Sequence, residues 1–65
     1  MRRIAITKGN CYVNFYLALD YDGVHCERGY NGMSVREAIK DIKEATNTKG
    51  KHGFVVVDER QPVGA

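Results

Sequence analysis

Sixty-five residues are enough for one domain with a small core, and for no more than one. Ten Lys or Arg against eight Asp or Glu leave a formal charge of +2, which is too weak to demand a nucleic-acid partner. No apolar run is long enough to span a membrane, and the start Met1-Arg2-Arg3-Ile4-Ala5-Ile6 lacks the apolar stretch of a signal peptide, so a cytoplasmic protein with reduced thiols is expected.

Arg2 to Thr7 reads as a first strand with Ile4 and Ile6 on one face. Lys8-Gly9-Asn10-Cys11 reads as a tight turn, because Gly and Asn tolerate positive φ. Cys11 to Tyr21 then alternates. Cys11, Val13, Phe15, Leu17, Leu19 and Tyr21 point one way, and Tyr12, Asn14, Tyr16, Ala18 and Asp20 the other. Asp22-Gly23 is the strongest hairpin signal and suits a two-residue type I′ turn into a third strand, Val24 to Tyr30.

A helix follows. Ser34 is a good N-cap and Glu37, three residues on, completes a capping box. Val35, Ala38, Ile39, Ile42 and Ala45 form one apolar stripe, with Arg36, Lys40, Asp41, Lys43 and Glu44 on the solvent side. Thr46 to Gly53 is a polar loop, Phe54 to Asp58 a valine-rich fourth strand, and 61–65 a loose tail after a single α+β domain over 1–60.

Two-residue turns set the register. The Asp22-Gly23 turn pairs Tyr21 with Val24, Leu19 with Cys26 and Phe15 with Tyr30; a turn at Gly9-Asn10 pairs Ile6 with Val13 and Ile4 with Phe15. Arg28 then falls on the buried face opposite Leu17, so it belongs near the sheet edge with its stem on apolar surface. Cys11 and the Leu19 partner Cys26 come out roughly 26 Å apart, far beyond disulfide reach, so both are expected free. A right-handed crossover through the helix lays the fourth strand parallel to the first. The expected fold is β-β-β-α-β: a four-stranded mixed sheet, order 3-2-1-4, with the helix on one face. A fourth strand beside the third is the alternative.

Chemistry is sparse. Asp20 and His25 are expected as cross-strand neighbours on the face away from the helix, where the pair reads either as an acid/base dyad or as a surface ion pair. No nucleophile shares that face, so no catalytic residue is assigned. Cys11, Cys26, His25 and His52 lack metal-ligand spacing, and neither metal nor cofactor is expected. Lys49-Gly50-Lys51-His52-Gly53 has the composition of a phosphate loop without its pattern. The same open face carries Tyr12, Asn14 and Tyr16, with Arg3 expected opposite Tyr16. Those side chains suit a protein contact, base stacking aided by Lys8, Lys49 and Lys51, or a purely structural role in which Tyr16 shields Gly29 and stacks on Arg3.

Gly32-x-Ser34-Val35-x-Glu37-Ala38-Ile39, followed by Ile42-Lys43-Glu44-Ala45, resembles the helix segment of HicB-like antitoxins over about fourteen residues. The family's β-β-β-α-β layout, like an incomplete RNase H fold, agrees with the order argued above. Its P-D-L-P-G segment is replaced by Cys26-Glu27-Arg28-Gly29-Tyr30, and no counterpart of its C-terminal DNA-binding segment stands in these residues. The resemblance implies a partner-facing half that binds and blocks a protein. The functional expectation is a small, non-enzymatic interaction protein of bacterial or phage type. Its contacts are Tyr12, Tyr16, Arg3 and Asn14, then Arg36 and Lys40, and self-association is possible through an open face or edge. A nucleic-acid-binding module is the alternative.

Overall fold

The structure is a computed structural model and describes residues 1–60; the tail expected at 61–65 lies outside the described residues. Strands β1 (Arg2–Lys8), β2 (Phe15–Tyr21), β3 (Val24–Tyr30), helix α1 (Val35–Ala45) and β4 (Val55–Asp58) follow one another. They form a mixed four-stranded sheet in the order β3-β2-β1-β4, with β1 and β4 parallel and the other pairs antiparallel. This is the expected α+β fold.

The β2–β3 hairpin has the expected register, with Tyr21 opposite Val24, Leu19 opposite Cys26 and Phe15 opposite Tyr30. Its turn residues Asp22 and Gly23 take φ of 43° and 95°, the pair of positive angles that a type I′ turn demands. The β1–β2 register differs from expectation. Ile6 pairs with Leu17 and Ile4 with Leu19, so β2 starts only at Phe15, and residues Gly9 to Asn14 form a six-residue loop in place of a two-residue turn. The slip is even. It therefore leaves every β2 side chain on its expected face while removing Tyr12 and Asn14 from the strand.

Ile4, Ile6, Phe15, Leu17, Leu19, Tyr30, Ala38 and Ile42 make the core. Helix α1 packs on β2 and β3 through Ala38 and Ile42, with Val35 and Ile39 half-buried beside them, while Ala45 in the last turn is exposed. The capping box forms as expected: the Ser34 hydroxyl accepts from the Glu37 N–H at 3.2 Å, and the Glu37 carboxylate accepts from the Ser34 N–H at 3.3 Å. At the other end the Thr46 hydroxyl donates to the Ile42 carbonyl at 2.9 Å, and buried Thr48 returns its N–H to the Lys43 carbonyl at 2.8 Å, so these two carbonyls of the last turn are satisfied.

The helix is tied to the outer strand by polar contacts as well. The Tyr30 hydroxyl donates to Asp41 at 2.9 Å, and Arg28, on the edge strand as expected, reaches the same carboxylate at 3.3 Å. Burial, then the Asp41 hydrogen bond, pushes the Tyr30 phenol up to about 12, so it stays a donor throughout the neutral range. Phe54 stacks on Tyr21 with ring centroids 5.9 Å apart, and Arg2 and Lys43 lie over those two rings at 4.8 Å, closing the core where the chain enters β4.

Candidate functional site

The feature that stands out is the loop between β1 and β2. Asn10 builds it. Its side-chain oxygen accepts from the Tyr12 N–H at 2.8 Å and the Val13 N–H at 3.0 Å, while its own N–H donates to the Val13 carbonyl at 2.9 Å. Asparagine favours such local side-chain turns because its short amide reaches its own backbone two or three residues on. The Asn10 amide nitrogen also donates to the Tyr16 hydroxyl at 3.0 Å, anchoring the loop to β2.

A second loop clasps the first. Asn31 donates to the Tyr12 carbonyl at 2.7 Å and accepts from the Asn14 N–H at 2.7 Å; Asn14 in turn accepts from the Gly32 N–H at 3.1 Å. Gly32 sits at φ 67°, a conformation that suits glycine, and this turns the chain from the clasp into Met33 and the helix cap. Tyr12 thus has both its backbone N–H and its carbonyl held, while the residue is 82 % exposed. Met33, on the clasping loop, is a second exposed apolar side chain.

The structure distributes the expected contact residues. Tyr12, Asn14 and Tyr16 come together in and beside the loop, but Tyr12 and Asn14 are not on the sheet face, because the longer loop takes them out of β2. Arg3 is opposite Asp20, not Tyr16, and pairs with Glu59 at 3.4 Å, so the expected stack of Tyr16 on Arg3 does not form. Tyr16 does cover Gly29: a Cβ there would come within 3.1 Å of its ring and 2.8 Å of a Val13 methyl. Arg36 and Lys40 are exposed on the outer side of α1. Lys8 ends β1, whereas Lys49 and Lys51 sit in the loop whose His52 carbonyl accepts from Arg2 at the strand's start. Six residues of strand, about 20 Å, separate the two groups of lysines.

On the sheet face away from the helix, His25 lies between two carboxylates, Asp20 at 2.6 Å from Nδ1 and Glu27 at 3.2 Å from Nε2. The hydrogen bond to Asp20, then that to Glu27, raises its pKa above the ordinary 6.5. Asp20 is the partner expected from the hairpin register; Glu27 is not, although it lies two positions along the same strand as His25 and hence on the same face. Asn10 and Asn31 also go unrecognised from the sequence as the builders of the site; the adjacent Asn and Gly at Gly9-Asn10, which reads as a tight turn, and at Asn31-Gly32, which leads into the helix, are the signal.

Cys11 and Cys26 are both free thiols, the first exposed in the loop and the second half-buried in β3. Among the described residues no group of three His, Cys, Asp or Glu side chains converges to hold a metal ion. No helix among them is long and apolar enough to cross a membrane. Set against family models, curated proteins and solved structures, the chain matches none of them.

Proposed function

We propose that this chain is a small non-enzymatic interaction protein that binds a partner protein, and thereby inhibits or regulates it, through the Tyr12 loop. The observation that carries this reading is a large aromatic side chain 82 % exposed on a backbone pinned at both its N–H and its carbonyl. Tyrosine supplies broad contact area with few rotatable bonds, and a loop already ordered loses little entropy when it docks. Met33 extends the apolar surface on the clasping loop, Tyr16 and Asn14 brace it from behind, and Arg36 and Lys40 offer a second contact surface on the helix. The resemblance of the capped helix to HicB-like antitoxins supports the same class of function, since such a domain binds and blocks a protein.

The test is affinity capture from a bacterial lysate with tagged wild type and Tyr12→Ala, each with and without nuclease. Wild type is expected to retain one stoichiometric protein that survives nuclease. The variant, still folded, is expected to bind it more weakly by about 2 kcal/mol or more, roughly 30-fold. Equal capture by both removes the loop from the account. Capture that vanishes with nuclease replaces the reading with nucleic-acid binding.

A further inference from the structure

We propose that β4 is a self-complementary edge through which two copies of this chain pair antiparallel about Val56, joining their sheets into one. The inference is independent of the Tyr12 reading.

The backbone sets the geometry. The Glu59 N–H donates to the Ile6 carbonyl at 2.7 Å, and strand residues alternate, so Val55 and Val57 also turn their main-chain groups toward β1. Phe54, Val56 and Asp58 therefore present N–H and C=O on the outer edge. Among the described residues no strand lies beyond β4. In an antiparallel ladder, two residues facing each other as a hydrogen-bonded pair exchange both N–H···O bonds. Val56 against its own symmetry mate satisfies that pattern. Phe54 against Asp58 of the second copy, on both sides, brings the total to about six main-chain bonds.

The side chains agree with the backbone. Val55 and Val56 are 61 % and 50 % exposed, one on each face of the strand. The pairing sets Val55 against the second copy's Val57 on one face and Val56 against Val56 on the other, which are favourable β-branched cross-strand pairs. Charge does not oppose the pairing. Within the ladder each Asp58 faces Phe54 of the second copy and keeps its own Arg60 at 2.7 Å, so no two like charges oppose one another there. Helix α1 packs on β2 and β3, so the two helices remain apart in the joined sheet.

The opposite edge does not invite this. On β3, pairing about its centre sets Glu27 against Glu27 and competes with the His25 contacts, and Arg28 is engaged with Asp41. Charged residues of this kind are how sheets guard an edge. The contrast between the guarded and the valine edge points to a two-fold, closed pair.

The experiment uses the full chain alone, with sedimentation from micromolar to millimolar concentration and residue-resolved amide exchange on the same samples. Mass should double. Protection of the Val56 amide should rise at least ~10-fold with concentration, while that of Val57, already bonded to β1, changes little. Val56→Lys should stay monomeric with an unchanged circular dichroism spectrum. If that variant does not fold, the wild-type exchange pattern decides. A wild type monomeric at millimolar concentration overturns the proposal. So does a dimer whose Val56 amide stays unprotected, a folded Val56→Lys that still dimerises, or open-ended growth, which would mean that β4 meets a different edge.

Discussion

Gly9→Ala tests the loop that carries Tyr12. A Cβ on Gly9 would lie 2.5 Å from the Asn14 carbonyl carbon and oxygen and would overlap the Val13 carbonyl oxygen. These are main-chain atoms and cannot rotate away, so the loop has to open. Opening forfeits the Asn10 N–H bond to Val13 and the two bonds that the Asn10 side chain accepts. At ~0.5–1.5 kcal/mol each, toward the low end because they are exposed, these amount to about 2 kcal/mol. Relief of overpacking costs a similar ~1–3 kcal/mol, so a net loss of about 2–3 kcal/mol is expected. A domain this small has only ~3–5 kcal/mol in total, so the variant is close to unfolding. With a urea slope of ~1 kcal/mol/M, the midpoint should fall by roughly 2–3 M, followed by circular dichroism or tyrosine emission. Gly50→Ala is the control: its Cβ meets nothing within 4 Å and its φ is not positive, so it should be neutral or stabilising by ~0.4–1 kcal/mol through the unfolded chain. A Gly9→Ala midpoint at or above wild type refutes the argument that the loop is closed on Gly9.

Because the folded pKa of His25 is raised, its two carboxylate contacts stabilise the fold fully below the ordinary 6.5, and that stability is lost as pH rises through the folded value. Denaturation midpoints should therefore fall between mildly acidic and mildly alkaline pH in wild type and stay level in His25→Gln; level midpoints in both would contradict the contacts. Toward acid the sign reverses: Arg60 holds the Asp58 carboxyl down at about 2, so its contribution is present above 3.8 and disappears as pH falls through the folded value. Ser34→Ala removes the helix cap and should cost about 1 kcal/mol in thermal unfolding, while Glu37→Gln, which can still reach the Ser34 N–H, should cost less. Equal losses for the two would argue against a reciprocal cap.

The parts legible in the sequence are those where local chemistry and hydrophobic pattern agree. Asp22-Gly23 admits one tight turn, and it sets the β2–β3 register residue by residue. Ser34 and Glu37 mark the helix start to the residue. The β1–β2 register was not legible, because alternation has a period of two and cannot detect a slip by an even number of residues. Gly9-Asn10 resembles a two-residue turn; what overrides it is the Asn10 side chain, which bonds forward to Tyr12 and Val13 and draws a longer loop. The candidate site inherited that error. Alternation alone places Tyr12 on a sheet face and Arg3 across from Tyr16, whereas Tyr12 lies in the loop and Arg3 sits opposite Asp20. Asn31 closes on Tyr12 across nineteen residues, a contact that no local pattern announces.

Strand β1 has neighbours of very different origin. On one side it meets β2 across a six-residue loop, and on the other it meets β4, with Arg3 beside Val55. Closing a short loop costs little chain entropy, whereas bringing those distant positions together costs more and is repaid by only four β4 residues. The antiparallel strands therefore have the means to assemble early, with parallel closure as the last step of folding and the first to reverse. Substitutions in β4 should then speed unfolding and leave the folding rate nearly unchanged, which places the control of this domain's lifetime at its C-terminal strand.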